Sequence, residues 1–228
     1  MDFRARHVIV TGGTGALGSA VVGRLVAAGA QCHVPYTDAR KLDSFEHRDR
    51  VHLVPCDLTD QGSVAKLYED VPQLWASIHL AGGFEMAPAV DTDKAALQRM
   101  LDTNLVTCFL CCRFAARRLG TTEGRIVNVA ARAALEPRSG AGMTAYVASK
   151  AAVAALTQAL AAELVGANIL VNAVAPSVIN TAANREAMPN ARQERWPTPD
   201  EIAAAILFLA SPENAVTSGA VVPVYGQA

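Results

Sequence analysis

Thr11-Gly12-Gly13-Thr14-Gly15-Ala16-Leu17-Gly18 decides how the rest of the chain is read. Before it, His7-Val8-Ile9-Val10-Thr11 is a short β-branched run, as expected of a strand buried on both faces. After it, residues 16–28 put Leu17, Val21, Val22, Leu25 and Val26 at helical spacing, with Gly29 as the stop. Gly13, Gly15 and Gly18 keep the G-x-G-x-x-G spacing. In that pattern Gly13 permits the tight turn, Gly15 lets the backbone approach a pyrophosphate, and Gly18 lets the helix lie close to the sheet. A helix start also offers free N–H groups and a partial positive charge to phosphates. The turn predicts a bound dinucleotide, with Gly12, Gly13, Thr14, Gly15, Ala16, Leu17 and Gly18 around its phosphates.

Outward from this turn, short β-rich runs alternate with Ala/Leu-rich stretches. Strands are expected at 30–36, 51–55, 75–80, 125–129, 168–174 and 220–224. Helices are expected after the loop at 57–60, once or twice over 91–119, and at 146–165 and 199–210. Strands separated by crossover-length helices build βαβ units. The expected fold is α/β: a Rossmann-like, doubly wound parallel sheet of about seven strands with helices on both faces. No repeat or low-complexity linker divides residues 1–228, so one dinucleotide-binding domain is expected. A Pro/Asn-rich stretch at 179–197 is the candidate substrate loop, since long loops in compact domains tend to be functional.

Composition narrows the partners. The 228 residues are 51% hydrophobic and 18% charged, which supports a sizeable core and argues against disorder. The formal net charge of −1 gives no basic excess for nucleic acid or an anionic membrane. Apolar runs read as too short and interrupted for a membrane span, and the N-terminus has no signal-type stretch. Five cysteines, at 32, 56, 108, 111 and 112, lack zinc-ribbon spacing and read as buried thiols. A reducing, cytoplasmic setting is expected. The five histidines show no ligand spacing, so no metal site is expected.

An acidic residue closing the second strand would hold the ribose 2′-hydroxyl of NAD. That place falls on Tyr36, which has no carboxylate, and Arg40 and Lys41 follow closely. Arginine pairs well with a 2′-phosphate, which favours NADP over NAD. The opposite reading is that Arg40 and Lys41 are solvated and Asp38 serves NAD.

Tyr146-Val147-Ala148-Ser149-Lys150 opens the long helix, and residues four apart share a face. An ammonium beside a phenol lowers the phenol's pKa and makes it a tunable general acid. Taken alone, the same pattern also fits an ordinary aromatic and a surface lysine.

Together, the glycine turn and the Tyr146/Lys150 pair resemble the short-chain dehydrogenase/reductase family, over essentially the whole chain. The resemblance implies an NAD(P)H-dependent enzyme that transfers hydride to a carbonyl or imine carbon of a small molecule. It implies Tyr146 as proton donor, Lys150 on the nicotinamide ribose, and Asn104 holding a relay water. It places Asp57 and Leu58 beside the adenine, and Ala81, Gly82 and Gly83 next to the cofactor. Pro176, Val178 and Thr181 would touch the nicotinamide half, with Ser177 where the family has glycine. A homodimer or homotetramer through the Ala-rich helix and the one before it is also implied, although that small-residue face suits packing within one subunit equally well.

The family usually closes its fifth strand with a serine, but Asn128-Val129-Ala130-Ala131 puts Ala131 there. Ser139 or Thr144 could supply the missing hydroxyl. The dihydropteridine reductase branch lacks this serine, and Ala81-Gly82-Gly83-Phe84, Ala133-Ala134-Leu135, Gly142-Met143, Met188-Pro189 and Trp196-Pro197-Thr198-Pro199 resemble it. The oxoacyl-carrier-protein reductases are a second resemblance. Ala131, Phe84, Met188 and Trp196 are candidate pocket residues, although Met188 and Trp196 could equally pin the loop to the core. The alternative to an enzyme is a catalytically silent dinucleotide-binding sensor or scaffold.

Overall fold

Continuous apolar runs become the strands. A computed structural model describes residues 1–120 and 123–228. Its strands are β1 (His7–Thr11), β2 (Gln31–Tyr36), β3 (His52–Pro55), β4 (Leu74–His79), β5 (Gly124–Val129), β6 (Ile169–Pro176) and β7 (Val221–Val224). They form one parallel sheet in the order β3-β2-β1-β4-β5-β6-β7. Every residue of β4 and β6 is buried, as sheets covered on both faces require.

The helices are α1 (Ala16–Ala27), α2 (Gln61–Glu69), α3 (Lys94–Leu101), α4 (Thr107–Leu119), α5 (Arg132–Leu135), α6 (Thr144–Leu164), α7 (Ala182–Ala187) and α8 (Pro199–Ala210). Side chains alternate across β1 and so feed two cores. Val8 and Val10 join Val21 and Leu25 of α1 and Ile202 and Ile206 of α8 on one face. Ile9 joins Leu67 of α2, Cys111 and Leu119 of α4 and Val153 of α6 on the other.

As expected, the 91–119 stretch holds two helices, α3 and α4, here joined through a π-helical turn, Asp102–Val106. Two expectations need correction. The 179–197 segment is not an open loop. It contains α7, closes through Asn180 N–H to the Pro197 carbonyl (2.9 Å), and is stitched by Gln193, whose carboxamide donates to the Arg185 and Met188 carbonyls. Among the described helices, Thr144–Ala167 is long and apolar enough by length and composition to cross a membrane. It lies against β6, α3 and α5, and carries the buried ammonium of Lys150.

Candidate active site

The strand order reverses between β1 and β4, and the two neighbouring strand ends open a crevice where ligands bind in doubly wound sheets. The glycine turn leaves β1 at this point. Gly12, not Gly13, carries the left-handed backbone, with φ of +67°. A Cβ there would stand 2.7 Å from the Ala81 nitrogen, so only glycine lets the β1 turn meet the β4 exit. A Cβ on Gly18 would collide with the Gly12 carbonyl, which keeps α1 tight against the turn. Gly15 is the N-cap of α1 with no side-chain cap. The first-turn N–H groups of α1 are therefore free to meet an anion.

Around the rim, Tyr36 ends β2, and Arg40 lies beyond it in a bidentate pair with Asp38 (2.9 and 3.0 Å). The sequence reading treated these two charges as rivals for one ribose; the structure binds them to each other. Asp57 accepts from the backbone N–H and hydroxyl of Thr59, which holds its carboxyl below the usual range. Leu58 is partly buried against the second core. At the end of β6, the Ser177 hydroxyl donates to the Tyr225 carbonyl (2.9 Å). Val178 is partly exposed next to it, and Thr181 caps α7.

The polar centre forms where β4, β5, the π-helical turn and α6 meet. Asn104 lies in that turn and is buried. Its Oδ1 accepts from Gly83 N–H (2.8 Å), and its Nδ2 donates to the Gly83 carbonyl (3.1 Å) and Ser149 Oγ (3.0 Å). Ser149 Oγ in turn donates to the Tyr146 carbonyl (2.7 Å). Lys150 Nζ donates to the Val129 carbonyl at the end of β5 (2.8 Å). A Cβ on Gly82 would meet Asn104 Oδ1 at 2.7 Å and Lys150 Nζ at 3.3 Å, so the two polar groups converge on that glycine. The Phe84 ring stands edge-on to the Tyr146 ring, with centroids 5.0 Å apart. Such pairs are worth about 0.5–1.5 kcal/mol beyond the area they bury.

Electrostatics correct one expectation. Burial pushes the Tyr146 phenol up to about 12, and Lys150 does not pull it down. The ammonium is spent on the Val129 carbonyl, and its own burial lowers Lys150 to about 8. The phenol therefore keeps its proton across the neutral range.

Other predicted pocket residues separate. Ala131 is buried at the N-cap of α5 and brings no hydroxyl. Ser139 is exposed and its hydroxyl donates to the Glu136 carbonyl (2.8 Å), so it is committed elsewhere. Trp196 is buried, as an anchor of the loop would be, whereas Met188 stays partly exposed. Ser149 and the Val129 carbonyl were missed by the sequence reading. Ser149 lay within the quoted Tyr-Lys segment, one helical turn from Tyr146, but nothing in the sequence said its partner was Asn104.

Comparison with known proteins agrees with this arrangement. The short chain dehydrogenase family model matches residues 6–192. Galactitol 2-dehydrogenase of Rhizobium johnstonii is 34% identical over 238 residues, covering 96% of this chain and 93% of the relative. The 3-oxoacyl-[acyl-carrier-protein] reductase MabA of Mycobacterium bovis is 29% identical over 238 residues, covering 98% and 93%. The structure of a short-chain type dehydrogenase/reductase from Mycobacterium ulcerans superposes with a TM-score of 0.91 at 26% identity, covering 100% of this chain and 90% of that one.

Proposed function

The chain belongs to the short-chain dehydrogenase family and is an NAD(P)-dependent oxidoreductase acting on a small molecule, and we propose that it works as a reductase with Tyr146 as the proton donor. The observation that carries this reading is the convergence of Lys150 and Asn104 on Gly82 beside the Phe84-covered Tyr146. The glycine turn, with no side-chain cap on the helix start that follows it, fits a dinucleotide pyrophosphate. When bound, the nicotinamide supplies the hydride. Gly12, Gly13, Thr14, Gly15, Ala16, Leu17 and Gly18 would hold the phosphates. Asp57 and Leu58 would flank the adenine. Ala81, Gly82, Gly83, Pro176, Val178 and Thr181 would line the nicotinamide half, with Lys150 on its ribose.

Tyr146 holds its proton at neutral pH because burial raises the phenol, and it releases that proton to the substrate oxygen or nitrogen as negative charge develops there. Lys150, whose ammonium donates to the Val129 carbonyl, would hold the nicotinamide ribose rather than acidify the phenol. Asn104 orients the relay through its bonds to Gly83 and Ser149. For the adenosine half, NADP is favoured. A 2′-phosphate carries more charge than the Asp38 carboxylate and can draw Arg40 away from a pair that is exposed on the arginine side.

For the substrate, Ala131 has no hydroxyl and that of Ser139 is committed to the Glu136 carbonyl, so neither offers a second donor; Phe84 beside Tyr146 and the partly exposed Met188 are the candidate contacts. The lack of a second donor suits an already activated acceptor, such as the imine of a quinonoid dihydropterin. A polyol or secondary alcohol is the second reading, favoured by the galactitol 2-dehydrogenase relative. The silent-sensor alternative is not favoured, since the relatives are named as dehydrogenases and reductases. We place the enzyme in the cytoplasm, in keeping with five free, buried thiols.

The test is kcat/KM for quinonoid dihydropterin, a 3-oxoacyl thioester and galactitol oxidation, each with both cofactors. The highest value is expected for the dihydropterin with NADPH. A higher value for the alcohol or for the thioester would reject the activated-acceptor assignment. A preference for the non-phosphorylated cofactor would reject the role of Arg40.

A further inference from the structure

Beneath the site, between α4 and the sheet, lies a buried polar cluster that the proposed chemistry does not use. His79 ends β4, Asn128 lies in β5, and Cys108 and Cys112 stand one turn apart on α4, so three separate elements meet. All four residues are buried, with exposures of 5% or less. Asn128 Oδ1 accepts from His79 Nδ1 (2.8 Å), Cys108 Sγ (3.3 Å) and Cys112 Sγ (3.4 Å). Cys112 Sγ and His79 Nδ1 are 3.5 Å apart. The two sulfurs and a ring nitrogen of His79 all lie within 4.8 Å of one another.

We propose that Cys108, Cys112 and His79, completed by the Asn128 carboxamide oxygen, bind one soft divalent cation of the Zn²⁺ or Cd²⁺ type. Two physical arguments carry the assignment. The first is hydrogen-bond supply. A carboxamide oxygen has two lone pairs, yet three donors aim at this one. A single cation in place of those protons turns three competing donors into three ligands. The second is size. Zinc–sulfur bonds of about 2.3 Å and zinc–nitrogen bonds of about 2.0–2.1 Å at a tetrahedral angle put sulfur and nitrogen about 3.6 Å apart. The Cys112–His79 separation of 3.5 Å already matches this edge. The Asn128 oxygen would move back from His79 by roughly half an ångström to complete the tetrahedron.

The surroundings favour the ion. His79 Nε2 faces Ser77 Oγ (2.8 Å) and Tyr68 OH (3.3 Å). Both hydroxyls can accept as well as donate, so His79 can move its proton to Nε2 and free Nδ1 without losing a partner. Asn128 Nδ2 is held by Thr157 Oγ1 (2.9 Å), which keeps the carboxamide oxygen turned inward. Two thiolates and a divalent cation sum to zero charge, the state a buried site tolerates best. Cys108 and Cys112 keep a C-x-x-x-C spacing, but His79 and Asn128 come from distant segments, so the sequence alone does not announce the site.

The test titrates purified protein with Cd²⁺ and follows the thiolate-to-cadmium charge-transfer absorption. The expected result is a band saturating at one cadmium per chain. The band should survive in Cys111→Ala, whose thiol lies outside the cluster. Affinity should fall at least about tenfold in Cys108→Ala and in Cys112→Ala. Absence of a saturable band, or affinity equal to the parent's in Cys108→Ala and Cys112→Ala, overturns the proposal. If the alanine variants do not fold, the melting temperature of the unaltered protein decides. A rise under stoichiometric Zn²⁺ that excess chelator reverses supports the site, and an unchanged melting temperature refutes it.

Discussion

Adding one oxygen atom at position 131 is the smallest change that alters the proposed chemistry. Ala131 is the N-cap of α5, with extended backbone (φ −158°, ψ 160°), a place where serine is favoured. Ala131→Ser should therefore fold as well as the parent. An oxyanion-type donor is worth about 10²–10³ in rate, so turnover of an unactivated ketone should rise by up to about 10²-fold. Steady-state rates of the two proteins on a simple cyclic ketone check this. Equal rates would mean that the side chain at 131 does not face the reacting atom. At this scale the sequence was partly legible. Tyr146 and Lys150 could be picked out as a pair, because residue type and spacing carry that chemistry, whereas Asn104 was implied only by the family resemblance. The direction of the Tyr146 shift could not, because it depends on burial and on which acceptor Lys150 finds. Which of the adjacent Gly12 and Gly13 takes positive φ was likewise not legible, because it is set by how closely β4's exit approaches.

Across β1, β2 and β3 a ladder of imidazoles ties elements together. His7 Nδ1 and His33 Nε2 are 2.9 Å apart, and the His33 and His52 rings stack with centroids 4.7 Å apart. Burial, reinforced by the charges His52 and His7 would carry, lowers His33 from 6.5 to about 4. The folded chain thus keeps His33 neutral between pH 6.5 and about 4, while the unfolded chain takes up the proton. The unfolded state binds more protons in that window, so stability falls as pH drops through it. His33→Val should shrink the fall in melting temperature between pH 6.5 and 4, leaving the smaller part due to His7. An identical fall in parent and variant would remove the ladder from the account. Strands were easy to read at this scale because burial on both faces leaves continuous apolar runs. The π-helical turn at Asp102–Val106 was not, since a single extra residue in a helical turn leaves no compositional mark. Nor was α7, whose Ala182–Ala187 core sits among Asn and Pro residues that read as loop.

For the whole molecule, α4 exposes Phe109 at 49%, and α6 exposes Ala155 and Ala159. An exposed apolar ring on one helix and small exposed side chains on the other suit helix-to-helix contact, and we propose a homodimer or homotetramer through these helices. Phe109→Glu should lower the mass measured by light scattering to that of a smaller assembly; an unchanged mass would move the interface elsewhere. The architecture was legible because alternation of strand and helix limits topology, whereas the Cys108/Cys112/His79 cluster was hidden because only folding brings its parts together. The central claim is that the Tyr146 phenol delivers the proton, and the direct measurement compares NADPH affinity and turnover in Tyr146→Phe with the parent. The account predicts unchanged cofactor affinity with turnover reduced by about 10²–10⁴-fold. Turnover equal to that of the parent would contradict it.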